Sequence, residues 1–170
     1  RRTDPGRIPA VWENLREVVG AHGAPWVVQV WTKSVGGVLD LGGDTLRALA
    51  DAGATLTAQV TITGLAGTPW EPEVPTDSLA RLGELAEVLG GPDHLTWRYD
   101  PIIPTVHSIE TYARLAHEVA DQGVGRGVIN YLAPPGRYKR VDRRLAAVLP
   151  GWSGGMPGYD DAWRLAVARE

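Results

Sequence analysis

The chain has no cysteine and no phenylalanine among its 170 residues. The first absence excludes disulfides, thiolate nucleophiles, cysteine zinc sites and an iron–sulfur cluster held by this chain. It is in keeping with a cytoplasmic protein. The second absence leaves the bulky core positions to Trp, Leu, Val and Ile. No apolar run reaches the ~20 residues that span a membrane, and Arg1-Arg2 is not followed by an apolar signal core. The formal net charge is −3, so the overall charge gives no reason to expect nucleic acid as a partner. Familiar motifs are missing too. Ser34-Val35-Gly36-Gly37 and Leu41-Gly42-Gly43 lack the Gly-Lys-Ser/Thr of a phosphate loop. Gly123-Val124-Gly125-Arg126-Gly127 precedes a strand, whereas a dinucleotide fingerprint follows one. No Gly-x-Ser-x-Gly elbow is present.

What is present reads as one globular α/β domain over residues 1–170. Four β-branched runs, Trp26–Trp31, Thr55–Thr63, His94–Asp100 and Gly127–Leu132, alternate with helical patterns. The helices are expected at Pro9–Ala21, at Asp44–Ala52, from a cap at Thr76-Asp77 through Leu89, and from Ser108 to the turn at Gly123. Strand ends recur about every 32–36 residues, the length of a strand plus its crossover helix. Such repetition implies a parallel sheet. A closed eight-unit barrel takes about 200 residues or more, so a partial TIM-like barrel or an open parallel sheet is expected. Residues 1–132 form the βα core, and residues 133–170 supply C-terminal helices, a basic one near Arg137–Leu149 and a last one near Tyr159–Ala168.

The most informative stretch is Trp97-Arg98-Tyr99-Asp100-Pro101-Ile102-Ile103-Pro104. Strand alternation points Arg98 and Asp100 the same way, and Pro101 is expected to stop the pairing just after them. Strands covered on both faces should be apolar, yet polar residues recur at one register per strand. Gln29, Trp31 and Lys33 share a face of the first, Gln59, Thr61 and Thr63 of the second, Arg98 and Asp100 of the third, with Asn130 on the fourth. Buried and unpaired, such groups cost several kcal/mol. They are expected to meet one another, water or a ligand at the carboxyl ends of the strands; a purely structural polar network is the alternative. Glu71, in the rigid turn Trp70-Glu71-Pro72-Glu73-Val74-Pro75, and His107 overhang the same mouth. Asp4, Glu71, Asp100 and His107 are types that ligate metals, but they are scattered singly, and no metal centre is assigned. The run Arg137, Lys139, Arg140, Arg143 and Arg144 reads as a solvated helix face.

Four segments occur together in order: Arg1-Arg2-Thr3-Asp4 with Ile8-Pro9-Ala10; Trp31-Thr32-Lys33-Ser34; Gln59-Val60-Thr61-Ile62-Thr63-Gly64 with Glu71-Pro72-Glu73-Val74-Pro75; and Trp97-Arg98-Tyr99-Asp100-Pro101-Ile102. From Arg1 to about Leu132 the chain thereby resembles the bacterial domain-of-unknown-function family eighteen forty-eight. That family looks related to radical S-adenosylmethionine enzymes and more loosely to spore photoproduct lyases. The resemblance implies a partial TIM-like barrel with motif residues at the strand ends, among them Arg2 and Asp4. The family's cysteine cluster has no counterpart here, and the strand expected before Arg1 is missing. Without a cluster to deliver an electron, this chain is not expected to perform radical chemistry.

The leading expectation is a binding site for a small molecule, S-adenosylmethionine or another nucleotide-like ligand. Asp100 would act as an acid/base or ribose-hydroxyl acceptor, Arg98 as a clamp and Lys33 as a second cation. Arg2, Asp4, Gln59, Thr61, Glu71 and Asn130 would complete the ligand contacts. The alternative is a non-catalytic scaffold module acting with a redox protein partner; nucleic-acid association ranks last, and no membrane partner is expected.

Overall fold

In the computed structural model, residues 7–23, 26–103, 106–132 and 139–147 are described. Helix α1 (Arg7–His22) leads into strand β1 (Val27–Thr32), helix α2 (Val35–Asp51) and strand β2 (Thr55–Thr61). Helix α3 (Leu82–Leu89), a 3-10 turn at Pro92–His94, strand β3 (Leu95–Ile102), helix α4 (Ile109–Asp121), strand β4 (Gly127–Tyr131) and helix α5 (Lys139–Ala146) follow. The strands form one parallel sheet in the order β1-β2-β3-β4. Each pair of neighbours is joined by a crossover carrying a helix, as parallel pairing requires.

The core lies on one face of this sheet. Leu56, Ala58 and Val60 of β2 and Leu95, Trp97 and Tyr99 of β3 are buried against Leu46 and Leu49 of α2, Leu82 and Leu85 of α3, and Leu115 and Val119 of α4. A sequential strand order with its helices on a single face is the winding of a barrel wall, here open. The opposite face carries Gln29, Trp31, Gln59, Thr61, Arg98 and Asp100, all partly or well exposed. The polar positions along the strands thus follow from a face that no described helix covers.

The absence of phenylalanine is met by Tyr99 as much as by tryptophan. Tyr99 is fully buried, with Trp97, Tyr112 and His107 around it at ring separations of 5.6, 5.2 and 5.1 Å. Trp12 and Trp97 are core residues, whereas Trp26 is 90% and Trp31 61% exposed.

Three local expectations are corrected. Helix α2 starts at Val35, nine residues ahead of the expected Asp44. Ser34 caps it by accepting the Gly37 N–H at 3.0 Å, and its glycines permit close packing, since a Cβ on Gly42 would sit 2.3 Å from the Trp12 ring of α1. Helix α3 starts at Leu82 rather than beside Thr76-Asp77. Ser78 is held elsewhere: its hydroxyl accepts from Val35 N–H at 3.1 Å and donates to the Lys33 carbonyl at 3.0 Å. Strand β3 continues through Pro101 to Ile102, with a register shift between Tyr99 and Ile102. Proline cannot donate, so the ladder skips a step there and resumes where Leu132 N–H donates to the Ile102 carbonyl at 2.9 Å. The basic helix is described over Lys139–Ala146; the last expected helix lies outside the described residues.

Candidate functional site at the carboxyl ends of the strands

Register builds the site. Trp31 pairs with Gln59, Gln59 with Thr96, Thr61 with Arg98, and Arg98 with Val128. Side chains in register share a face, so Trp31, Gln59, Thr61 and Arg98 converge on the uncovered side, and Asp100 and Asn130 continue it toward the strand ends.

Arg98 is the centre. Its Nη1 donates to Gln59 Oε1 at 2.7 Å, and its Nη2 forms an ion pair with Asp100 Oδ2. Asn130 Nδ2 donates to the same Asp100 oxygen at 3.2 Å. The guanidinium also lies over the Trp31 ring, 4.6 Å from its centroid, and Trp31 is itself fixed by donating its indole N–H to Gln29 Oε1 at 2.7 Å. The side chains of Arg98 and Asp100 are only 16% and 25% exposed, so the pair is screened less than a surface pair. No described residue bonds the other carboxylate oxygen of Asp100, which leaves an oriented acceptor on a half-open face.

A second cluster sits beside the first. Lys33 Nζ pairs with Glu71 Oε1, and Thr63 Oγ1 donates to Glu71 Oε2 at 3.1 Å. Glu71 reaches this place because the long β2–α3 connection folds back on itself: Gly67, at φ +72°, donates its N–H to the Glu71 carbonyl at 3.0 Å. Lys33, Thr61, Thr63 and Glu71 border a cleft of 160 Å³ whose remaining walls include Ile62, Leu79 and Leu115. His107 lies against the same cluster, 4% exposed. Its Nδ1 accepts the Ile103 N–H at 2.9 Å, which places the proton of the neutral ring on Nε2. Burial holds its pKa below the usual histidine value; the Ile103 and Thr63 backbone and the Glu71 charge oppose that shift, and Lys33 adds to it. Nε2 is buried and makes no hydrogen bond of ordinary geometry with any described residue.

The expected residues therefore fall into two adjoining groups. Arg98, Asp100, Gln59 and Asn130 form one network; Lys33, Thr61 and Glu71 form the edge of the cleft. Arg2 and Asp4 lie outside the described residues. Among the described residues, no group of three or more His, Asp or Glu side chains could hold a metal ion, and no helix is long and apolar enough to cross a membrane. Two members were not singled out from the sequence as ligand-site residues: Trp31, the aromatic support of Arg98, and Thr63, the second partner of Glu71. Strand alternation already placed each on a polar face, which is the signal that finds them.

No match was found among curated proteins or among solved structures. The model of a family described as a domain of unknown function, DUF1848, matches residues 10–159, a span that takes in both groups of site residues. The chain belongs to that family.

Proposed function

We propose that the protein binds a small, nucleotide-like molecule on the open face of the sheet at the carboxyl ends of its strands, with S-adenosylmethionine the first candidate. One observation carries the reading. Asp100 is held by Arg98 and Asn130 through one oxygen, while its other oxygen is bonded by no described residue and its side chain stays partly exposed. A carboxylate fixed in this way suits the acceptance of ligand hydroxyls or of a proton. Arg98 has both terminal nitrogens committed, so it acts chiefly by positioning Asp100. Trp31 offers an exposed indole for a planar ring to stack on. The kinship with radical S-adenosylmethionine enzymes that the motifs suggest points to the same ligand, bound here without a cluster. A bacterial cytoplasmic setting fits the cysteine-free composition.

Chemical-shift mapping with S-adenosylmethionine tests this reading. Shifts confined to the amides of Trp31, Gln59, Thr61, Arg98, Asp100 and Asn130 are expected; shifts confined to the helical face, or none, contradict it.

A second reading, a scaffold module seated against a redox protein, draws on the exposed apolar side chains Trp26, Val27 and Trp31 along the β1 edge. It predicts a copurifying partner that Trp31→Ser releases.

A further inference from the structure

The cleft beside Lys33 has a chemistry of its own. Its polar lining includes the Lys33 ammonium, the Glu71 carboxylate and the hydroxyl residues Thr61, Thr63, Thr76 and Ser78. The Lys33 ammonium uses one contact on Glu71, and its side chain remains 40% exposed. Thr61 lines the cleft, and no described residue bonds its hydroxyl. Among the described residues, Glu71 is the one carboxylate bordering the cleft, and it is already held by Lys33 and Thr63.

The cleft, of 160 Å³, has room for a carboxylate or a phosphate group. The apolar walls at Ile62, Leu79 and Leu115 raise the strength of any charge interaction made inside. A divalent cation is disfavoured, because Lys33 would repel it and Glu71 is the one carboxylate among the described residues that line the cleft.

We infer that this cleft is an oxyanion subsite, in which a carboxylate or phosphate group accepts from Lys33 Nζ and Thr61 Oγ1 while competing with Glu71 for the lysine. Glu71 keeps the lysine oriented and partly neutralised until the anion arrives. The inference goes beyond the reading of Asp100: the cleft can fail as an anion site while the open face still binds its ligand, and the reverse.

The test uses inorganic phosphate and sodium acetate, titrated separately into the isotopically labelled protein. The amide resonances of Lys33 and Thr61 and the imidazole resonances of His107 are followed. A saturable shift with phosphate alone identifies a phosphate site, and one with acetate identifies a carboxylate site. Lys33→Met is expected to weaken binding at least about tenfold, since it removes a charge-assisted bond. Glu71→Gln is expected to strengthen binding several-fold, because the competing charge is gone. The exposed end of Lys33 makes its removal compatible with folding, which circular dichroism checks. No saturable shift with either anion overturns the inference, as does binding that Lys33→Met leaves unchanged or that Glu71→Gln weakens.

Discussion

The guanidinium of Arg98 on β3 reaches across β2 to lie 4.6 Å from the ring centroid of Trp31 on β1. One strand, β2, separates the partners, so the contact ties the open face together laterally while Asp100 and Gln59 hold the same guanidinium within that face. Removing either partner should therefore loosen the site without emptying the core, which lies on the other side of the sheet. A double-mutant cycle of Arg98→Met and Trp31→Leu is expected to give a coupling of about 0.5–1 kcal/mol in urea denaturation. Additive effects would show that the stacking adds nothing to stability.

Gly42→Ala tests the approach of α1 to α2. Helix propensity alone would favour alanine by about 1 kcal/mol. The added Cβ, however, would lie 2.3 Å from Trp12 Cε2 and 2.4 Å from Cζ2, and Trp12 is buried. A rigid indole cannot yield by that much without moving the helix, and overpacking typically costs about 1–3 kcal/mol. Net destabilisation is expected, read as a lowered midpoint of urea denaturation; a raised midpoint would mean that α1 docks loosely.

Tyr99→Phe would introduce a residue type the chain lacks. The Tyr99 ring is fully buried, its hydroxyl meets no described partner, and burial raises its pKa well above the ordinary tyrosine value. Deleting a buried, unpaired hydroxyl while keeping the ring is expected to leave stability unchanged or raise it by up to about 1 kcal/mol. A loss larger than that would reveal a partner for the hydroxyl.

His107 gives the fold an acid sensitivity. Its pKa in the folded protein lies below the ordinary value of 6.5, so over that interval the unfolded chain binds a proton that the folded chain refuses. Stability from this group is complete above about pH 6.5 and falls as the pH drops toward the folded-state pKa. The melting temperature of the parent should decline more steeply below about pH 6.5 than that of His107→Gln. Parallel profiles would show that His107 does not titrate differently on folding.

The sequence made some of this legible and hid the rest for identifiable reasons. Strands β1 to β4 were legible because β-branched runs separated by helical spacing have few other readings. The Arg98–Asp100 pairing was legible because it needs only the alternation of one strand. The Arg98–Trp31 contact needs strand order and register as well, which one sequence does not supply. The first half of α2 was hidden by Gly36, Gly37, Gly42 and Gly43, which read as a loop until Trp12 is seen against one of them. The meeting of Lys33 with Glu71 spans 38 positions and depends on how a long loop folds back. The burial of His107 was hidden as well; a histidine just after a strand reads as an overhang, whereas here its ring meets the Tyr99 ring edge-on.

The central claim is that Asp100 anchors a ligand on the open face. Calorimetric titration of S-adenosylmethionine into the parent protein and into Asp100→Asn, run without oxygen, tests it most directly. The account predicts saturable binding in the parent, weakened at least about tenfold in the variant, which is roughly 1.4 kcal/mol, with both proteins equally folded by circular dichroism. Equal affinity in the two proteins, or no heat from a folded parent, would contradict it.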